Sequence, residues 1–379
     1  MLFKNAVILN ENFNWIKADL KVEDGKFAAV GHFDESGTDV GEKRIIPGFI
    51  NIHMHGAMGY NVANADAAAY DKIGSYLAST GTTSYLMAPA TYLEADLKRY
   101  VALIGERRGR SEGANLLGAN MEGPYLSASH KGAHRAEWLR TVKEVDFDSV
   151  NECGNGCIYV TTVAPETDGA IEFIRTHAGK VKISLGHTGA DYETCMKAFE
   201  AGATQVTHLF NAMPSLHHRN MSLISAALDF GAMAEIICDG LHVTPSVVKA
   251  AYKMFGADKL IVINDSVMAA GMPDGVYSEC GNEVIVKDGI AREHDGTIAG
   301  GTAPIIECVK NLISWGVPEG EAVKMASANP AKAMGIENKG RIKTGFDADF
   351  LMVDRDFNVT DVYIGGKKFC CGEAGVTCG

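Results

Sequence analysis

His53 and His55, separated by Met54, form the sharpest chemical signal in the chain. In an extended segment, residues i and i+2 face the same side, so both imidazoles project together and can chelate one metal ion through ring nitrogens. Taken alone, such a pair reads more readily as two hydrogen-bonded core histidines. It is not alone: Glu122 (in Met121-Glu122-Gly123-Pro124), His187 (in Gly186-His187-Thr188), His208 (in Thr207-His208) and Asp265 (in Asn264-Asp265-Ser266) each close a short apolar, β-branched run. Imidazole with carboxylate suits a divalent ion, zinc or ferrous iron, and the absence of carboxylate clusters disfavours calcium. Such a metal lowers the pKa of bound water to ~7 and polarises a carbonyl, and a neighbouring base must take up and return the proton. Asp265 is the candidate base; the plainer alternative is a turn aspartate that caps the following segment.

These residues need elements that gather them. Eight apolar runs read as strands: Ile45–His55, Thr82–Ala88, Leu116–Glu122, Ile158–Ala164, Lys182–His187, Ala203–His208, Glu235–Asp239 and Leu260–Asp265. Stretches with helical spacing lie between them, such as Ala65–Ser79, Tyr192–Ala201 and Pro245–Phe255, with Ala303–Trp315 after the last. This alternation predicts an α/β fold, a (β/α)8 barrel of the TIM type, whose strand C-termini meet at one mouth. A doubly wound sheet fits less well, because no G-x-G-x-x-G opens a helix after the first strand. Residues 1–44 and 341–379 read as short alternating strands, each piece too short to bury a core, and together predict one small β-sandwich domain beside a 45–340 barrel. Val284–Gly296 reads as a hairpin on the loop after the eighth strand.

Composition narrows the partners. Of 379 residues, 46% are hydrophobic and 22% charged, which excludes wholesale disorder. A net charge of −12 argues against nucleic acid or anionic lipid as partners. No apolar run reaches the ~18 residues of a membrane helix, and the first residues do not resemble a signal peptide. Nine cysteines, an odd number, favour free thiols in a reducing compartment, so a cytoplasmic location is expected.

The HMHG at 53–56, EGP at 122–124, GHT at 186–188, HLFNAM at 208–213 and Asp265 resemble the amidohydrolase superfamily. More narrowly, Glu122-Gly-Pro-Tyr with Lys131-Gly-Ala-His134, the Asp239-Gly-Leu-His242 run and Gly340-x-Ile342-x2-Gly345-x2-Ala348-Asp349 resemble N-acetylglucosamine-6-phosphate deacetylases, over nearly the whole chain. The resemblance implies that Glu122, His187 and His208 hold a main metal and that His53 and His55 hold a second. It also makes Asp265 the general base and acid. Strand four contains no lysine to bridge two metals, consistent with Glu122 as the bridge. The same resemblance implies substrate contacts from Ala133, His134, Asn211, Ala212, Asp239, His242 and the Ile298-Ala299-Gly300 loop. Arg219 occupies the position of an arginine that reaches across a dimer interface to the substrate phosphate, a task suited to its fork of donors. The chain departs from the family at Arg219-Asn220-Met221-Ser222, where an acidic residue and Pro-Gly usually follow the arginine. The neighbouring His217 and His218 read equally as anion contacts or loop caps.

The implied activity is deacetylation of an N-acetylated amino sugar phosphate within a homodimer. Two other readings stand beside it: an amidohydrolase acting on a related N-acetyl amino sugar, cyclic amide or N-acyl amino acid, and a non-catalytic scaffold. The scaffold is disfavoured because every ligand position and the aspartate are present.

Overall fold

Apolar, β-branched runs buried on both faces form parallel strands, because helices cover one side and packed side chains fill the other. The computed structural model describes residues 1–41, 43–110 and 112–370, so the 371–379 end of the expected terminal domain lies outside the described residues. Eight strands form one parallel sheet: β1 (Phe49–Asn51), β2 (Thr82–Met87), β3 (Asn115–Glu122), β4 (Ile158–Val163), β5 (Lys182–Leu185), β6 (Gln205–Val206), β7 (Met233–Ile237) and β8 (Leu260–Ile263). Each pairs with its sequence neighbours. A parallel bridge between Met54 and Ser266 closes the ring from β1 to β8, and the Asn51 amide donates to Asn264 Oδ1 at 2.7 Å just below it.

A helix follows every strand: α1 (Ala67–Ser79), α2 (Glu94–Arg107), α3 (Phe147–Cys153), α4 (Ala170–His177), α5 (Tyr192–Ala201), α6 (Leu223–Phe230), α7 (Pro245–Phe255) and α8 (Ile305–Ser314). Local chemistry sets their starts. Asp66 caps α1 by accepting the Ala69 N–H at 2.8 Å, and Asp191 caps α5 through the Thr194 N–H at 2.9 Å. The TIM-type barrel expected from the alternation is therefore the fold.

One expected strand is two. Arg44–Pro47 runs antiparallel to Phe350–Val353 in a separate sheet, and only Phe49–Asn51 enters the barrel. Pro47 has no N–H to continue a ladder. Gly48 then passes so close to Thr83 that a Cβ would lie 2.3 Å from its Oγ1, so the turn between the two sheets requires glycine there.

The separate sheet joins both ends of the chain in the order Lys367–Phe369, Val359–Ile364, Phe350–Val353, Arg44–Pro47, Leu2–Leu9, Trp15–Glu23 and Lys26–Gly31, with Thr38–Asp39 also paired to Leu2–Leu9. Phe27, near one edge, packs on Phe350, four strands away in the sheet, with ring centroids 5.9 Å apart. The sheet thus curls on itself as a sandwich around Phe3, Leu20, Phe27, Ile45 and Phe350.

The hairpin expected at Val284–Gly296 is larger: Gly275–Glu279, Asn282–Lys287, Ile290–Arg292 and Ile298–Gly301 form a four-stranded antiparallel sheet between β8 and α8. It reaches the barrel mouth, where Ser266 bridges to Gly301.

Candidate metal centre and substrate cavity

The chemical residues sit at or just past the strand ends. Glu122 is the last residue of β3, while His53, His187, His208 and Asp265 each follow the end of their strand by two residues. His187, His208 and Asp265 have φ of +46°, +27° and +47°, a left-handed backbone that side chains seldom adopt and that clusters at working sites. Surrounding bonds hold the kinks: the Asp265 N–H donates to the His53 carbonyl at 3.2 Å, and the His208 N–H donates to Glu235 Oε2 at 3.2 Å. Gly186 allows the turn into His187, since a Cβ there would stand 2.6 Å from Thr207 Cβ. His53 and His55 lie beyond the strand, yet still point together, because the His55 N–H donates to the Ser266 carbonyl and the Ala88 N–H to the Met54 carbonyl, both at 2.7 Å.

Glu122 is the hub. Its Oε1 lies 2.8 Å from His208 Nε2, 3.2 Å from His187 Nε2 and 3.3 Å from His53 Nε2. Its Oε2 lies 3.2 Å from both His55 Nε2 and His134 Nε2. Asp265 Oδ1 stands 3.1 Å from His55 Nε2 and 3.6 Å from His53 Nε2. Two groups result, Glu122–His187–His208 and His53–His55–Asp265, each with its ligand atoms close enough to share one ion.

The outer ring nitrogens tell the histidines apart. His53 Nδ1–H donates to Glu235 Oε2 at 2.9 Å, His55 Nδ1–H to the Ala88 carbonyl at 2.8 Å and His187 Nδ1–H to the His130 carbonyl at 2.9 Å. With the proton on Nδ1, each of these three offers a bare Nε2 lone pair to the centre. His134 is reversed. Its Nδ1 accepts the Thr91 N–H at 3.2 Å, so Nε2 carries the proton and donates.

The donor set fits cations. His187 Nε2 and His208 Nε2 face each other at 3.0 Å, and His53 Nε2 is buried without a hydrogen-bond partner. Glu122, Glu235 and Asp265 bring three carboxylates together, while among the described residues no lysine or arginine lines the cavity. Burial pushes the His187 imidazole down to about 4, so it is neutral at pH 7 as a ligand must be. Burial also disfavours charge on His55, but hydrogen bonds to Asp265 and Glu122 outweigh it and hold that ring up to about 10. For His53 too, burial is outweighed by Glu122, Glu235 and Asp265. Positive charge is therefore demanded at His53 and His55, and protons or a metal can meet that demand. Burial raises Asp265, but His53 and His55 hold it well below the usual carboxylate range, ionised at neutral pH.

A cavity of about 280 Å³ opens from this cluster. Of the residues expected from sequence, His55, Glu122, Ala133, His134, His187, His208, Asn211, Ala212, His242, Asp265, Ile298, Ala299 and Gly300 line it. Three do not. His53 is fully buried behind the cavity. Asp239 stands one residue back, where it accepts the His242 Nδ1–H at 2.7 Å and turns Nε2 of that ring inward. Arg219 is exposed on the loop after Met213, outside the cavity of its own chain. His217 caps that loop, because its Nδ1 accepts the N–H groups of Arg219 and Asn220.

Glu235, Glu279, Cys280 and Thr297 stand outside the motifs above, and Gly132 enters only within Lys131-Gly-Ala-His134. Glu235 had a signal: a lone carboxylate inside the apolar run of β7, a strand that must be buried on both faces. Glu279, Cys280 and Thr297 had none, because nothing local says that the sheet after β8 folds over the mouth.

The amidohydrolase family model matches residues 44–369. The chain belongs to the amidohydrolase family. Amidohydrolases are metal-dependent, in agreement with the two ligand groups above. Within the family the chain is 34% identical to the N-acetylgalactosamine-6-phosphate deacetylase of Escherichia coli O157:H7, over 92% of this chain and 93% of that one. It is 33% identical to the N-acetylglucosamine-6-phosphate deacetylase of Bacillus subtilis strain 168, over 95% and 94%. Among solved structures, a variant of the Mycobacterium smegmatis N-acetyl-D-glucosamine-6-phosphate deacetylase bound to N-acetyl-D-glucosamine-6-phosphate superposes with a TM-score of 0.91, at 30% identity over 97% of this chain and 98% of that one. No helix among the described residues of this amidohydrolase is long and apolar enough to cross a membrane.

Proposed function

We propose that this amidohydrolase removes acetate from N-acetylglucosamine 6-phosphate, leaving glucosamine 6-phosphate. The observation that carries the reading is the pairing, around Glu122, of an ionised Asp265 with a hydrogen-bond donor at His134. The deacetylase names of relatives that span nearly the whole chain support it.

Glu122, His187 and His208 would hold one divalent ion, and His53 with His55 a second beside Asp265, zinc or ferrous iron by ligand type. When bound, such ions supply Lewis acidity, which makes water more acidic and a carbonyl carbon more electrophilic. Asp265 takes the proton of the attacking water. His134 Nε2–H donates to the carbonyl oxygen as negative charge builds there. Asp265 then returns its proton to the departing amine nitrogen, the C–N bond breaks, and acetate and the amino sugar leave. Asn211, Ala212, Ala133, the Asp239-held His242 and Ile298–Gly300 form the sugar pocket. Arg219 reaches the 6-phosphate of the neighbouring copy in a homodimer. In this reading the barrel within 45–340 does the chemistry in the cytoplasm, with the 1–44 and 341–379 domain, to whose sheet residues 45–47 are joined, as its flank.

A second reading is the galactosamine epimer, favoured by the name of the 34%-identical relative. Acetate release measured on both phosphorylated epimers and both unphosphorylated sugars decides between them. A preference for N-acetylglucosamine 6-phosphate supports the first reading, a preference for the 4-epimer supports the second, and no acetate from any of the four overturns both.

A further inference from the structure

Glu235 lies at the centre of β7 with no exposed surface. It does not line the cavity and cannot reach a substrate. One oxygen, Oε2, accepts both His53 Nδ1–H at 2.9 Å and the His208 N–H at 3.2 Å, so a single carboxylate grips one member of each ligand group. The other oxygen, Oε1, is buried with no partner. Leaving a carboxylate oxygen unpaired in a barrel core is costly, and packing alone gives no reason to place a charge there.

The three donating Nδ1–H groups are not equivalent. His55 and His187 donate to the neutral carbonyls of Ala88 and His130, and only His53 donates to a carboxylate. A carboxylate behind an imidazole fixes its tautomer and raises the basicity of the nitrogen that faces the metal. That nitrogen, His53 Nε2, is itself buried without a hydrogen-bond partner among the described residues.

We propose that Glu235 is a positioning residue for the second cation: it acts through His53 to make the His53–His55–Asp265 group an ion site in addition to Glu122–His187–His208. The inference rests on the two-ion reading above. Removal of Glu235 should therefore act more on the second ion than on the first: it takes the charge from behind the His53 ring, whereas His208 loses one backbone contact and stays tied by the Leu209 N–H to the Glu235 carbonyl at 2.8 Å and by its own carbonyl to the Asn211 N–H at 3.0 Å.

The test is Co²⁺ titration of the metal-stripped full-length protein, followed by visible absorption and elemental analysis. The wild-type chain takes up two equivalents. In Glu235→Ala the second equivalent weakens by about 10–100-fold, while the first stays within about threefold of wild type. Glu235→Gln, which keeps the shape and an acceptor but loses the charge, falls between, with an unchanged thermal midpoint of the metal-free protein. If Glu235→Ala does not fold, the glutamine variant decides. Two equivalents bound with unaltered affinity in the variants overturn this inference alone. A wild-type protein that binds a single equivalent overturns the two-ion reading and this inference with it.

Discussion

The backbone N–H of Thr91 points at Nδ1 of His134 across 3.2 Å, and this one bond makes His134 unlike the histidines around it. His53, His55 and His187 turn Nδ1–H outward and a lone pair inward. His134 turns its N–H inward, 3.2 Å from Glu122 Oε2. A ring so fixed donates to an oxygen but offers no lone pair to an ion. His134→Ala is expected to lower kcat by about 10²–10³-fold, the usual cost of losing one donor to a developing oxyanion. Bound metal, measured by elemental analysis, stays at the wild-type count. His134→Gln, which retains an N–H donor, recovers part of the rate.

Asp265 is ionised and touches His55 and His53 but no lysine or arginine. Asp265→Asn cannot take a proton, and kcat for acetate release should fall by about 10²–10⁴-fold, the range for a positioned proton-transfer group. The ion held by Glu122, His187 and His208 should remain. A variant with near wild-type turnover would show that another group serves as base.

Chelation should abolish acetate release, and added zinc or ferrous iron should restore it. Without the metal, protons must take its place on His53 and His55 among the three carboxylates, and the stabilisation that bound metal gives the folded state is lost, so removal should also lower the thermal midpoint. Calorimetry with and without added metal measures the difference.

Arg219 lies outside the cavity of its own chain, so its proposed effect depends on a second copy. Arg219→Ala should raise KM for the phosphorylated sugar by roughly tenfold or more, matching the about 1.5–3 kcal/mol of a charged hydrogen bond. The unphosphorylated sugar should be unaffected. Equal losses on both substrates would argue against a phosphate contact.

Asp347 joins the two ends of the chain, 3.0 Å from both Lys26 and Lys339. Burial raises its carboxyl, but the two ammonium groups outweigh that and hold it below the usual value. A carboxylate lowered in the folded state contributes stability that is complete above its unfolded pKa of ~3.9 and is lost as pH falls through the lowered folded value. Asp347→Asn should thus cost about 1 kcal/mol at pH 7, since the pair is partly solvated, and progressively less below pH ~4. Denaturant midpoints at the two pH values check the sign.

Much of this protein was legible in its sequence, because a parallel barrel imposes a local rule. Each strand is an apolar run and each working side chain sits where that run stops, so Glu122, His187, His208 and Asp265 could be found one strand at a time. The sequence also determined which kinds of ion those ligands suit and that helices separate them. Tertiary structure decided what depends on neighbours distant in the chain. It broke Ile45–His55 between two sheets, because Pro47 ends one ladder and Gly48 must pass against Thr83. It drew the sheet at 275–301 over the mouth, adding Glu279 and Cys280 to the wall. Above all it assigned the protons: whether a histidine presents a lone pair or an N–H depends on the group behind the ring. Those groups, Glu235 behind His53, Ala88 behind His55 and Thr91 behind His134, come from other strands and loops that only folding brings within hydrogen-bond reach.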